Sequence, residues 1–262
     1  TRRQNQIKLI QPLPKQKMMD HGIVLVAGKK QKYFDEASYF AKSLKKHNKG
    51  IKIALFCDRT FSSKEFDLVE NISHIGHPQK YKMHAILNSP FDRTLYLDVD
   101  MEARGNIQEL FHFLDFYHVG LTHRVKCKWP PNATPIFLDY VDHECIQTGF
   151  MLVKKSDIST ELISHWKDAF SKVPNSNIST GTPFGDQAAF NTIWPEWEAN
   201  PYLKHIFLPN KIYNVRPWMW DQLNKDGLWS QTKILHTHGL NTPRHLVLLK
   251  KIKHRFSRIF QK

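Results

Sequence analysis

The segment from residue 22 to residue 57 most strongly limits the folds open to this chain. Ile23–Ala27 is a continuous apolar run that ends at Gly28, as expected of a parallel strand buried on both faces. Tyr33–Lys46 then places apolar residues at helical spacing, with lysines on the other side. A second apolar run, Ile51–Phe56, completes a strand–helix–strand unit, which predicts a mostly parallel α/β sheet flanked by helices.

The rest of the chain continues this alternation. The spacing predicts helices over Lys80–Asn88, Ile107–Phe116, Glu161–Ser171 and Pro183–Ile193, and strands over Thr94–Leu97, Tyr117–Leu121, Gly149–Val153 and Ile234–Leu235. The 262 residues suit one large domain or two small ones. No apolar run is long enough for a transmembrane helix, and three scattered cysteines fit neither a disulfide framework nor a cysteine zinc site. We predict a polar lead-in at 1–20, one domain at 21–243 and a tail at 244–262.

The net charge of +14 is concentrated at the two ends of the sequence. Residues 1–20 contribute +4 and residues 227–262 contribute +8, which leaves +2 for residues 21–226. A nucleic-acid enzyme more often spreads its basic residues along a groove, so we expect no nucleic-acid partner. Basic ends favour an anionic membrane surface, with a pair of solvated tails as the alternative. The expected location is cytoplasmic and peripheral at a membrane, with the Golgi lumen left open.

The tail at 244–262 has the pattern of a basic amphipathic helix. Its apolar residues recur every three or four positions, and lysines and arginines lie between them. The apolar set is Leu246, Leu249, Ile252, Phe256, Ile259 and Phe260. Such a helix lies in an anionic membrane interface, and the alternative is a helix docked on the domain.

Two carboxylates follow the predicted strand Thr94–Leu97 directly, in the sequence Asp98-Val99-Asp100. An open α/β sheet places its ligand site at the carboxyl ends of its strands. Hard oxygen ligands of this kind suit Mg²⁺ or Mn²⁺ shared with substrate phosphates, although many such pairs are solvated turns or caps. His236, which follows the last predicted strand, is able to complete a metal site, and the alternative there is a polar turn.

Two further segments carry residue types that bind sugars or phosphates. Asp186 and Gln187 lie at the start of a predicted helix, where a carboxylate and an amide can hold sugar hydroxyls. The alternative is that Asp186 is only the N-cap of this helix. Lys82 lies on the predicted helix before the aspartate pair, from which its ammonium could reach a diphosphate. The alternative is an ordinary surface lysine.

Together these segments resemble the GT-A glycosyltransferases, and most of all the retaining family that includes glycogenin and bacterial lipopolysaccharide galactosyltransferases (glycosyltransferase family eight). The resemblance extends over residues 22–244 and rests on the order and spacing of several loose motifs. They are Tyr33 with Ala37, Lys82 sixteen residues before Asp98, Asp98-Val99-Asp100, Gly149, Asp186-Gln187 with Asn191, and His236-Thr237-His238-Gly239 with Pro243. The chain departs from the family at three positions, where Gln147 replaces an asparagine, and Thr242 and Arg244 replace a lysine and a tryptophan.

The resemblance implies a metal-dependent transfer of a sugar from a nucleotide-sugar donor, UDP-linked by expectation, to a glycan or lipid-linked acceptor. Asp98, Asp100 and His236 would hold Mn²⁺ or Mg²⁺. The donor would contact Ala27, Gly28, Tyr33, Asp58, Lys82, Val99, Gly239 and Arg244. Asp186 and Gln187 would be catalytic residues facing the donor sugar.

Three alternatives stay open at this point. In an inverting enzyme, Asp186 would be the general base that deprotonates the acceptor hydroxyl. A nucleotidyltransferase would use the turn Gly28-Lys29-Lys30 as a phosphate loop, and a lectin-like protein would keep the fold without turnover. The tryptophan-rich stretch 194–229 is expected to frame an acceptor pocket, with core packing as its alternative.

Overall fold

The computed structural model describes residues 19–75, 78–125, 141–172 and 185–237. The predicted lead-in up to residue 18 and the predicted tail at 244–262 lie outside the described residues. The same holds for Gly239 and Arg244. No helix in the described part of the chain is both long enough and apolar enough to cross a membrane.

A seven-stranded sheet forms the centre of the protein, in the order β3-β2-β1-β4-β7-β6-β8. Its strands are β1 (Met19–Ala27), β2 (Ile53–Cys57), β3 (Leu68–Asn71), β4 (Phe91–Leu97), β6 (Val119–Val125), β7 (Val141–Lys154) and β8 (His205–Phe207). Strand β7 runs antiparallel to β4 and to β6, whereas the other six strands share one direction. A separate antiparallel pair joins β5 (Met101–Ala103) to β9 (Ile234–His236).

Helices cover both faces of the sheet. The longer ones are α1 (Gln31–His47), α2 (Pro78–Leu87), α4 (Asp157–Ser171) and α5 (Gly185–Glu198). Short helices are α3 (Leu110–Phe113), α6 (Asn210–Tyr213) and α7 (Trp220–Lys225). Single 3₁₀ turns cover Ser73–Ile75, Pro217–Met219 and Trp229–Gln231.

Strand β1 shows why the apolar runs are continuous. Ile23 and Leu25 pack into the core on the side of α1, and Val24 packs into the core on the side of α2 and α4. Because side chains alternate along a strand, a strand covered by helices on both faces needs apolar residues at every position. The predicted mostly parallel α/β sheet flanked by helices is confirmed.

Several element boundaries differ from the sequence predictions. The helix predicted over Ile107–Phe116 is reduced to Leu110–Phe113, because the flanking turns are tighter than α-helical ones. The strand predicted over Gly149–Val153 extends from residue 141 to residue 154. Strands β3, β5 and β8 were not predicted, since three or four residues are too few to show a period.

Candidate active site

The site lies where the parallel strands β1, β2 and β4 end. Gly28, Asp58 and Asp98 each follow one of these strands, so they meet at one edge of the sheet. The β5–β9 pair then adds a residue from far along the chain. Met101 pairs with His236 across this ladder, and the imidazole of His236 is thereby placed beside Asp100.

Asp98, Asp100 and His236 form a cluster with the composition of a divalent-cation site. One ligand atom from each of the three residues lies within 4.8 Å of the other two. Nε2 of His236 is 3.1 Å from Oδ1 of Asp100. Two carboxylates and one imidazole suit Mn²⁺ or Mg²⁺ by ligand type, so the residues fit the cation that the sequence predicts.

Gly149 leaves room for this cluster. A Cβ atom at this position of β7 would lie 2.4 Å from Oδ2 of Asp98 and 2.9 Å from Cε1 of His236. The backbone of Gly149 also accepts a hydrogen bond from the N–H of Asp98, at 2.9 Å. Glycine is therefore required here by the close approach of two of the three ligand side chains.

The imidazole of His236 is neutral at physiological pH. Burial and the charge of Arg216 lower the pKa of His236 to about 4, although Asp100 acts in the opposite direction. Nδ1 donates to Oδ1 of Asn214 at 2.9 Å, so Nε2 is the ring nitrogen that faces Asp100, 3.1 Å from its Oδ1.

Lys82 joins the two carboxylates Asp186 and Asp98. Its Nζ is 2.6 Å from Oδ2 of Asp186 and 3.3 Å from Oδ1 of Asp98. Thr148 Oγ1 donates to the same oxygen of Asp186 at 3.2 Å, and the Tyr96 hydroxyl donates to Asp98 at 2.8 Å. Lys82 is therefore not a surface lysine but the centre of a charged cluster against the candidate cation site.

The charges of this cluster stabilise one another. Burial disfavours the ammonium of Lys82, but the carboxylates of Asp186 and Asp98 outweigh it and raise the pKa of Lys82. Burial likewise disfavours the carboxylate of Asp186, and the ammonium outweighs it and lowers the pKa of Asp186. Both groups are ionised at neutral pH, so Asp186 is held as a carboxylate with little tendency to take up a proton.

Helix α5 is bound to β7 by side-chain amides. Asn191 accepts from the backbone N–H of Ile146 at 2.5 Å and donates to its carbonyl at 2.9 Å. Trp166 donates from Nε1 to the backbone carbonyl of Asp186 at 2.7 Å. Gln187 is buried, and its Nε2 lies 3.7 Å from the sulfur of Cys145, on β7.

The turn after β1 is stabilised internally. The backbone N–H of Lys29, which has a φ of 63°, donates to Oδ2 of Asp58 at 2.6 Å, and that of Lys30 donates to the carbonyl of Gly28 at 2.8 Å. Arg59 donates to the Lys29 carbonyl at 2.6 Å. The N–H groups of Lys29 and Lys30 are thus engaged by the protein itself and do not point outward as in a nucleotidyltransferase phosphate loop.

The remaining predicted donor contacts differ in exposure. Ala27 is buried at the end of β1, and the side chain of Val99 packs into the core on the side of α1. Tyr33, in the first turn of α1, is 38% exposed. A Cβ atom at Gly28 would lie 2.8 Å from the ring of Tyr81 and 3.0 Å from Asp58.

The expectation of an acceptor pocket lined by the tryptophans is wrong for two of them. Trp194 and Trp197 are buried in the core, where Trp194 stacks on Phe190 and Trp197 donates from Nε1 to Nδ1 of His165, on α4, at 3.0 Å. Trp218 is 39% exposed and lies near the guanidinium of Arg216.

Three neighbours of the site were not found in the sequence. Tyr96 lies on β4, two positions before Asp98, and the alternation of side chains along a strand predicts the same side for both. Thr148 stands directly before Gly149 on β7. Asn214 carries no local signal, since only the fold brings it to His236.

Comparison with known proteins supports the fold. No family model matches the sequence, and no curated protein matches it in sequence. The crystal structure of the glycosyltransferase GlyE from Streptococcus pneumoniae TIGR4 is similar, with a TM-score of 0.54 and 18% identity over 83% of this chain and 55% of GlyE. Its apo form gives the same TM-score at 16% identity.

Mouse xyloside xylosyltransferase 1, in its apo form, is similar with a TM-score of 0.50 and 16% identity, over 86% of this chain and 99% of the mouse chain. At these identities the likeness establishes the fold, which is the GT-A glycosyltransferase fold. This chain spans about half the length of GlyE.

Proposed function

We propose that this protein transfers a sugar from a nucleotide-sugar donor to a glycan or lipid-linked acceptor hydroxyl. The observation that carries the proposal is the convergence of Asp98, Asp100 and His236 at the carboxyl edge of a GT-A sheet. The solved structures that share the fold are named as a glycosyltransferase and a xylosyltransferase. UDP is the proposed nucleotide, on the resemblance to glycosyltransferase family eight.

Asp98, Asp100 and His236 would hold Mn²⁺ or Mg²⁺. When bound, the cation neutralises the donor diphosphate and makes it a better leaving group. The chain's own residues position the donor around that point. Tyr33 offers an exposed aromatic face to the base, and Asp58 fixes the turn beside it.

Lys82 and Asp186 would face the donor sugar and its phosphate. The ammonium lies between the cation site and Asp186, so it provides a positive charge on the side of the departing phosphate. Its ion pairs fix Lys82 before the donor arrives, which reduces the entropy lost on binding.

The ion pair also favours the retaining course over the inverting one. A general base works best when its pKa lies near the operating pH, and Lys82 lowers the pKa of Asp186. Asp186 is therefore a poor base for the acceptor hydroxyl. The proposed reaction keeps the anomeric configuration of the donor, and nuclear magnetic resonance of the first-formed product distinguishes the two courses.

A donor screen tests the proposal. The full chain is heated with each nucleotide sugar in the presence of Mn²⁺, and the correct donor should raise the melting temperature by mass action. Release of free nucleotide from that donor should then require Mn²⁺ and stop with EDTA. Failure of every nucleotide sugar, with and without a hydroxyl acceptor, would contradict the proposal.

We also propose that residues 244–262 bring the enzyme to an anionic membrane at the cytoplasmic face, near a lipid-linked acceptor. The support is the sequence pattern, in which each basic residue near such a surface contributes about 1 kcal/mol. Co-sedimentation with anionic vesicles should fall when Lys250, Lys251 and Lys253 are all changed to Glu, and should fall with added salt. Equal binding by both proteins would contradict the membrane role.

A further inference from the structure

We propose that Asn214 is a positioning residue for the cation site. By accepting a hydrogen bond from Nδ1 of His236, it holds the imidazole so that Nε2 faces the cation. The inference rests on the cation site of the proposed function and deepens it.

The contacts of Asn214 form a chain of three buried side chains. Its Oδ1 accepts from Nδ1 of His236 at 2.9 Å. Its Nδ2 donates to Oγ1 of Thr122, on β6, also at 2.9 Å. Asn214 and Thr122 are completely buried and His236 is 2% exposed, so water does not compete for these hydrogen bonds.

The backbone holds Asn214 and His236 on one scaffold. The N–H of Val215 donates to the carbonyl of Ile234 at 3.0 Å, and the N–H of His236 donates to the carbonyl of Val215 at 2.9 Å. Val215 thus pairs in parallel with Leu235, and both pack into a small apolar cluster. Asn214 and His236 lie on the other side of this pairing, where their side chains meet.

This arrangement determines which nitrogen is available to a ligand. Nδ1 is engaged as a donor to the amide oxygen of Asn214, so Nε2 is the ring nitrogen left to face the candidate cation site, where it lies 3.1 Å from Oδ1 of Asp100. Hydrogen bonds of this kind orient metal-binding histidines, and their loss costs about 10–100-fold in metal affinity.

Titration calorimetry of the full chain with Mn²⁺ tests the role. Asn214→Ala should weaken Mn²⁺ binding by about 10–100-fold. Asn214→Asp should bind within about threefold of the unaltered protein or more tightly, because a carboxylate accepts from Nδ1 as well as an amide does. If Asn214→Ala does not fold, Asn214→Ser takes its place, since its hydroxyl is too short to reach the imidazole.

Asn210→Ala is the matched control. Asn210 is also buried, lies one helical turn earlier, and donates to the backbone carbonyl of His123 at 2.9 Å rather than to the site. The Mn²⁺ affinity of Asn210→Ala should stay within about twofold of that of the unaltered protein, even if its melting temperature falls.

The outcomes separate this inference from the proposed function. Strong Mn²⁺ binding by the unaltered protein, with equal binding by Asn214→Ala, would overturn the role of Asn214 and leave the cation site standing. Equal weakening by Asn210→Ala would overturn it as well, because the effect would then be structural. Absence of Mn²⁺ binding by the unaltered protein, with and without UDP, would overturn the cation site and the inference together.

Discussion

The two aspartates on either side of Val99 have different surroundings. Asp98 belongs to a charged cluster in which the ammonium of Lys82 contacts it and Asp186, and the hydroxyl of Tyr96 donates to it. Asp100 contacts the neutral imidazole of His236, which is itself held by an amide. Two aspartates that are two positions apart in the sequence therefore have chemically different neighbours.

The difference predicts which side of the proposed cation site would respond more to a bound cation. On the Lys82 side, opposite charges are already in contact and the arrangement is favourable without a ligand. On the His236 side, the carboxylate of Asp100 contacts a buried imidazole, whose charged form is disfavoured by burial, rather than an ammonium. A bound cation should consequently affect the His236 side more, and variants of the two sides should differ in what they lose.

The largest effect is expected on the Asp100 side. Asp100→Ala should lower metal-dependent turnover by about a thousandfold or more, because one of three protein ligands and its charge are removed. The melting temperature without metal should change little, since the side chain is partly exposed. Undiminished Mn²⁺-dependent turnover in this variant, measured with the best donor from the screen, would contradict the assignment.

The next effect belongs to the Lys82 side and should appear without any metal. Lys82→Met should lower the free energy of unfolding by about 3–5 kcal/mol, because buried Asp186 loses its counter-ion. Urea denaturation measures the loss. Adding Asp186→Asn to Lys82→Met should restore most of the lost free energy of unfolding, since no unpaired charge then remains at this position. A double variant as unstable as Lys82→Met would refute the ion-pair explanation.

Gly149→Ala should disturb both sides of the site at once. The added Cβ would contact Asp98 and His236, so their ligand atoms must separate, and Mn²⁺ affinity should fall about 10–100-fold. Gly105→Ala is the control, because its Cβ would approach the flexible side chain of Lys233 at 3.1 Å and the backbone of Lys233 only at an ordinary contact distance of 3.6 Å. Titration calorimetry of both variants decides whether the space at residue 149 serves the site.

The smallest effect should come from a comparable ion pair far from the site. Asp67 is partly buried, yet the N–H of Ile53 and the ammonium groups of Lys52 and Lys45 lower its pKa. Its stabilisation is present above the unfolded-state pKa of about 3.9 and is lost as the pH falls through the lower folded-state pKa.

Asp67→Asn should therefore lower the free energy of unfolding by about 1 kcal/mol at pH 7 and by less at pH 3. Its Mn²⁺ affinity should equal that of the unaltered protein. Urea denaturation at the two pH values gives the first result and calorimetry the second. A loss that is the same at both pH values would show that the charge of Asp67 is not its source.

Features of this structure that depend on neighbouring residues could be predicted from the sequence, whereas features that depend on contacts between distant segments could not. Strand β2 and the C-terminal parts of β1 and β4 are apolar, and these strands are followed by Asp58, Gly28 and Asp98, so the local pattern is sufficient to predict them. The core role of Trp194 and the hydrogen bond of Asn214 depend on packing between segments that are distant in sequence, which periodicity does not encode.

The pairing of β5 with β9 has a consequence for the biosynthesis of the site. Asp100 and His236 are 136 positions apart, so at about 5–20 residues per second the ribosome adds His236 about 7–27 s after Asp100. Through that interval the nascent chain has both aspartates but neither His236 nor the strand that aligns it. The proposed cation site would therefore be complete only after β9 has been synthesised and paired with β5, and a chain truncated before residue 234 would have the two aspartates without the histidine.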